Sequence, residues 1–262
     1  MLAVKKSLPK ITSPYVWLEL NEAGGLTLTD KGTGALFTVV DGSGTAWSAN
    51  AGYFKGSNAS ANYLWTDNAQ VQSIFDVFNN AQNGVGGQVL FISMKLITTT
   101  LSGTLLTFGS TNGASNGYQI LHAGGNISMF ITNGSGVRKL INTSAMPTSG
   151  EHHLALMLDF KNGEYRAWID GSLSFAPAAD RANVLAEADN LEPADGTVGI
   201  TIMSRNTATT GGSRTPSSSY DGAIKQFFAA NLSNVENPWR CADLIVKDLN
   251  SVNKFPASLE NW

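Results

Sequence analysis

Glu187, Asp189 and Glu192 fall in the pattern E-x-D-x-x-E. Two carboxyls held about 5–5.5 Å apart in a cleft are what retaining glycoside hydrolysis needs, one as nucleophile and one as general acid. Strand alternation would put Glu187 and Asp189 on one face and Glu192 on the other unless a bulge intervened. The flanking residues also lack β-branched character, so the segment reads as a solvated acidic loop. His152 and His153 suggest a base or a metal pair, but neighbours on a strand point to opposite faces and cannot share a ligand. The expectation is one imidazole packed inward and one outward. Only 3 histidines occur in the chain.

Asp30, Asp41, Asp170 and Asp221 all lie in glycine-containing turns. Carboxylates and loop carbonyls are what calcium takes, yet Asx turns account for each of these acids without an ion. No metal and no cofactor is expected. Gly84-Val-Gly-Gly87 is followed by neither Lys-Ser/Thr nor a helix, so it is a turn and not a phosphate loop. Cys241 is the single cysteine; it excludes an internal disulfide and reads as an inert buried thiol.

Three residues stand out as partner contacts. Trp65 lies in a polar loop and could stack on a pyranose ring. Arg214 sits in the stretch Asn206–Ser219, and loops that long inside compact domains are usually functional or disordered. Tyr220 follows directly, and with Arg214 it could meet sugar or protein.

The elements that position these residues are strands. Leu90, Ile92, Met94 and Leu96 alternate with Val89, Phe91, Ser93, Lys95 and Ile97, which predicts a sandwich strand with one face on the core and one partly wet. Leu154, Leu156, Leu158 and Phe160 repeat the pattern, as do Tyr165, Ala167 and Ile169. Lys161-Asn162-Gly163 between those runs predicts a tight hairpin. Further strands are expected at Tyr15–Glu19, Leu36–Val40, Leu105–Phe108, Tyr118–Leu121, Ile127–Thr132, Val137–Ile141, Val198–Met203 and Ala223–Ala230. Asn183–Leu191 is a short helix or an irregular loop. Asn237-Pro238 offers an N-cap with proline at the first helical position. Trp239, Ala242, Val246 and Leu249 then make an apolar stripe for a helix docked on the sandwich.

Composition agrees. The 262 residues are 42% hydrophobic but only 14% charged, with 27 glycines, against about a quarter charged in a typical domain. A net charge of −3 argues against a nucleic-acid partner. No run of apolar residues is long enough for a membrane span, and the N-terminus has no apolar signal-like region. There is no internal repeat. The expected division is an N-terminal arm over 1–13, a sandwich over 14–233, and a C-terminal helix and tail over 234–262.

Four motifs, in order, resemble the laminin-G-like members of the concanavalin A-like jelly-roll superfamily. Trp17 to Gly32 is similar to that family's first strand and its "D-x-G" turn. Gly52-Tyr-Phe-Lys-Gly56-Ser-Asn-Ala-Ser60 resembles its "F-x-G-s-n" element. Glu151-His-His-Leu-Ala-Leu156 and Ala167-Trp-Ile-Asp-Gly171 are similar to its "W-H-H-V-A" and "Y-V-D-G" strands. Tyr220-Asp-Gly-Ala-Ile224 through Ser233 resembles the closing strand. The resemblance implies two packed antiparallel sheets of six or seven strands each, and it implies no single function. Glu151 stands where many relatives have Trp. Ile224-Lys-Gln-Phe227 replaces Ile-Asp-Glu-Val, which removes acids that would favour bound calcium.

Low charge, abundant glycine, a single cysteine, the absence of a signal-like region and an N-terminal arm, taken with the resemblance, lead to the expectation of a non-enzymatic structural or adhesion protein of a tailed-bacteriophage virion. It would be made in the host cytoplasm and act as a homo-oligomer through other virion proteins and host-surface glycan. The alternatives are a stand-alone, lectin-like carbohydrate-binding module and a laminarinase-type glycoside hydrolase, the latter drawing on Glu187 and its neighbours.

Overall fold

The computed structural model describes residues 15–20, 24–47, 52–57, 61–67, 69–75, 77, 88–100, 102–109, 117–132, 138–160, 162–175, 199–206, 216–217 and 219–251. The strands are β1 (Tyr15–Glu19), β2 (Thr27–Thr29), β3 (Leu36–Val40), β4 (Phe54–Lys55), β5 (Tyr63–Thr66), β6 (Val89–Thr98), β7 (Gly103–Gly109), β8 (Gly117–Ala123) and β9 (Asn126–Thr132). They continue as β10 (Arg138–Ala145), β11 (Gly150–Asp159), β12 (Glu164–Ile169), β13 (Ser172–Phe175), β14 (Ile200–Ile202), β15 (Arg205–Asn206), β16 (Pro216–Ser217) and β17 (Ala223–Asn231). Helices α1 (Ala69–Phe75) and α2 (Pro238–Ser251) complete the described elements.

Two antiparallel sheets pack face to face. The seven-stranded sheet runs β1-β17-β6-β11-β12-β13, with β4 also on β17, and the eight-stranded sheet runs β10-β9-β8-β7-β14-β5-β3-β2. This is the jelly-roll sandwich that the alternation predicts. Chain neighbours are often not sheet neighbours, since β1 pairs with β17 and β14 lies between β5 and β7. Short strands that pair only at long range are hard to see in sequence. Thus β2, β4, β5 and β13 emerge from the structure alone.

Leu90, Ile92, Met94 and Leu96 of β6 and Leu154, Leu156 and Leu158 of β11 enter the core between the sheets. Phe37, Leu64, Leu106, Phe108, Ile120 and Met129 meet them from the other sheet. A bulge in β7 places both Leu105 and Leu106 in that core.

The opposite face of β6 and β11 differs from the half-wet surface the sequence suggests. Phe91, Ala155, Met157, Trp168 and Phe228 are buried there against Cys241, Ala242, Ile245, Val246 and Leu249 of α2. The helix begins where its cap predicts, with the Arg240 N–H donating to Asn237 Oδ1 at 3.0 Å. Cys241 is buried, and burial pushes its thiol up to about 12, as expected of an inert side chain.

The β11–β12 hairpin is where the Asn-Gly signal puts it. Asp159 pairs with Glu164 across the turn, Gly163 takes a φ of 66°, and Asp159 Oδ1 accepts the Asn162 N–H at 3.0 Å.

Candidate functional site

The register of the eight-stranded sheet aligns one residue per strand along its outer face. Thr27 pairs with Thr38, Thr38 with Trp65, Trp65 with Thr201, Thr201 with Thr107, Thr107 with Gln119, and Gln119 with Phe130. Their chain neighbours Leu28, Phe37, Leu64, Ile200, Ile202, Phe108, Tyr118, Ile120 and Met129 fill the core on the other side. A row of hydroxyls and an amide with one indole in it therefore crosses the sheet.

The row is not uniformly accessible. Thr27, Thr38 and Leu36 on the same face are exposed, and Trp65 is half-buried. Further along, Thr201, Thr107 and Gln119 are buried. Thr107 Oγ1 donates to the Ser204 carbonyl at 3.1 Å, and Gln119 Nε2 donates to Thr104 Oγ1 at 2.6 Å. Met203, with a φ of 69°, turns the chain out of β14, and the following residues form the small ribbon β15–β16. Thr107 is two strands from Trp65, or about 10 Å at the usual strand spacing. The exposed Thr27 and Thr38, with half-buried Trp65 beside them, thus form a ledge, and the chain segment beginning at Ser204 lies beyond it.

The three residues singled out from sequence fare differently. Trp65 belongs to β5 and not to a loop, because its neighbours pair on both sides. Arg214 lies outside the described residues, though the ribbon that carries its loop is described. Tyr220 is fully buried and cannot meet a surface partner. Its hydroxyl accepts the Thr99 N–H at 3.3 Å and faces His122 Nδ1 at 3.2 Å. A Cβ on Gly56 would lie 2.0 Å from the Tyr220 carbonyl oxygen, and one on Gly222 would lie 2.2 Å from its ring. Tyr220 is therefore a packing anchor, and the glycine of the "F-x-G-s-n" element exists to let it in.

The paired histidines do point to opposite faces, but their surroundings invert the simple expectation. His152 has core-facing parity yet lies at the sandwich rim, half-buried, with Nδ1 2.8 Å from Asp170 Oδ2 and Nε2 2.9 Å from the Ser149 carbonyl. Burial opposes its protonation, but these two acceptors outweigh it and raise its pKa. His153 has outer-face parity and is buried, with Nε2 2.7 Å from Ser93 Oγ. Burial, helped by the Lys95 ammonium, lowers its pKa to about 4.

Asp30 accepts the Gly32 and Thr33 N–H groups, as an Asx turn requires. Asp41, in contrast, accepts the Ala46 N–H five residues on, and Asp170 accepts the His153 N–H across the strand pair, so Asx turns do not account for those two. Among the described residues no group of three His, Cys, Asp or Glu is placed to hold a metal. Glu151 and Lys225, which differ from the motifs the sequence resembles, are partners: Lys225 Nζ donates to Glu151 Oε2 at 2.5 Å. Glu187, Asp189, Glu192, the stretch Asn183–Leu191 and Gly84–Gly87 lie outside the described residues.

No family model and no curated protein matches the chain. Solved structures do match. The binding domain of botulinum neurotoxin DC in complex with rat synaptotagmin II superposes with a TM-score of 0.56 at 12% identity, over 89% of this chain and 51% of that one. The serotype D/C binding domain gives 0.53 at 14% identity, over 91% and 51%. The CBM40 of a Ruminococcus gnavus IT-sialidase gives 0.49 at 13%, over 73% and 97%. The likeness is one of fold. The chain spans about half the length of the neurotoxin chains, and only 25% of a Streptococcus pneumoniae NanB sialidase that it also matches.

Thr38, Thr107, Gln119 and Thr201 carry no motif, so sequence reasoning passed over them. Their one signal is a hydroxyl or amide alternating with core residues. That marks an outer face without saying which strands share it.

Proposed function

We propose that the chain is a non-catalytic, lectin-like binding module that engages carbohydrate at the Trp65 ledge. The observation that carries this reading is the register-aligned row in which a half-buried indole adjoins exposed threonine hydroxyls. An indole offers a flat apolar face to the C–H side of a pyranose, and hydroxyls beside it can exchange hydrogen bonds with the sugar's own. The use of this fold as a binding domain in the neurotoxin supports a contact role.

A glycan array tests it. The intact chain should bind a defined set of sugars, and Trp65→Ala should lose them while still unfolding in one cooperative denaturant transition, at a somewhat lower midpoint. No binding by the intact chain, or full binding by the variant, removes the proposal. Hydrolysis of laminarin that disappears in Glu187→Gln would instead establish the enzyme. Display on a tailed-phage particle, beside other virion proteins and further copies of the chain, is the finer proposal drawn from composition. Mass spectrometry of purified particles decides it.

A further inference from the structure

On the other side of the sandwich, the N-terminal end of α2 and the β11–β12 hairpin enclose a cleft of about 380 Å³. That is within the roughly 300–1,000 Å³ of ligand pockets. Its charged lining comes from Asp159, Glu164 and Arg166 on the hairpin and Glu236 before the helix, with Asn162 beside them and Trp239 as an aromatic wall. Three carboxylates against one guanidinium leave the lining formally at −2.

The carboxylates are unequally satisfied. Glu164 takes Arg166 through Oε2 at 2.6 Å, which spends the one guanidinium. Asp159 is only 3% exposed, and among the described residues its side chain accepts from the Asn162 backbone and amide, at 3.0 and 2.7 Å. A carboxylate this buried ordinarily faces a cation, and none faces this one among the described residues. Glu236 is exposed. Trp239 already carries one cation over its ring, the Arg166 guanidinium at 3.7 Å from the centroid. It is braced from β12 by the Trp168 indole stacked at 5.4 Å. The cleft thus has a preformed shape, a surplus of negative charge among its described lining residues, and a buried acid that meets no cation among the described residues.

We propose that this cleft is a second binding site, distinct from the Trp65 ledge, that receives the lysine or arginine side chain of a protein partner. The cationic head enters toward Asp159 and Glu236, and the aliphatic stem lies along Trp239. Charge complementarity selects this occupant over anionic ligands, which the lining repels.

The test is fluorescence anisotropy of the full chain with a fluorescein-labelled tri-lysine peptide, with the lysine-acetylated peptide as control. The free-amine peptide should bind, the acetylated one should not, and binding should weaken as salt rises. Glu236→Gln, a surface change that cannot disturb folding, should weaken binding roughly threefold. Asp159→Asn, which keeps one acceptor for the Asn162 N–H and lets the Asn162 amide turn its oxygen to the new NH2, should weaken it by roughly thirtyfold or more. Trp65→Ala should leave it unchanged, so failure here and failure of the glycan reading are separable. Equal binding of the acetylated peptide, or indifference to both acid substitutions, would overturn the proposal. So would a chitosan tetramer that binds in a Glu236-dependent way when the peptide does not.

Discussion

The His153 imidazole sits between β6 and β12 with its Nδ1 buried and without a hydrogen-bond partner, so it is built into the fold neutral. The unfolded ring titrates near 6.5 and the folded one near 4. Between those values the unfolded chain holds the extra proton, so stability falls as pH falls and is unaffected above pH 6.5. The full loss is on the order of 3 kcal/mol. His122, lowered by burial alone, adds in the same direction. His152 works oppositely: its favoured proton stabilises below its unfolded value, and that contribution disappears as pH rises through its raised folded value. Urea unfolding from about pH 7 to about pH 4.5 should therefore show a steady loss of stability, with a shallower slope in His153→Gln. An unchanged slope in the variant would assign the loss to other groups. At the same scale, Gly56→Ala should cost about 3 kcal/mol, because its Cβ would meet backbone and not a movable side-chain tip.

Among elements, α2 is the one whose sequence signals and packing agree throughout. Asn237 caps it, Pro238 starts it, and the stripe through Ala242, Val246 and Leu249 faces the seven-stranded sheet. Losing the cap in Asn237→Ala should cost about 1 kcal/mol, and truncating the buried Ile245 to Ala about 2–5 kcal/mol. Equilibrium unfolding that ranked the two the other way would mean that the helix is held by its end and not by its face. The same logic explains what was legible beforehand. Long strands such as β6 and β11 announce themselves because each buries an unbroken alternating face, and β17 does so despite a bulge between Ile224 and Gln226. The hairpin at Gly163 does so because one glycine supplies the left-handed turn. Trp65 was misplaced because β5 has only four residues and owes its existence to β3 and β14, far away in the chain. Tyr220 was misjudged for a related reason. Nothing local to it reveals that Gly56, Gly103 and Gly222 converge to enclose it.

At the level of the whole molecule, the two candidate sites lie on opposite outer surfaces of the sandwich. The Trp65 ledge is on the eight-stranded sheet, and the cleft is on the seven-stranded sheet beside α2. The packed core of both sheets separates them, and no described side chain lines both. Coupling would require a two-state element that both ligands bias, and no described element contributes side chains to both places. The chain should then act as a bridge, holding a sugar surface on one side and a basic protein segment on the other, with independent affinities. Glycan immobilised on a biosensor should capture the chain, and the captured chain should bind the tri-lysine peptide with the affinity it has free in solution. Trp65→Ala should abolish capture and leave the solution peptide affinity alone, while Glu236→Gln should do the reverse. If saturating peptide released the chain from the glycan surface, the sites would overlap or communicate, and a bridging role would be wrong even with each site individually real.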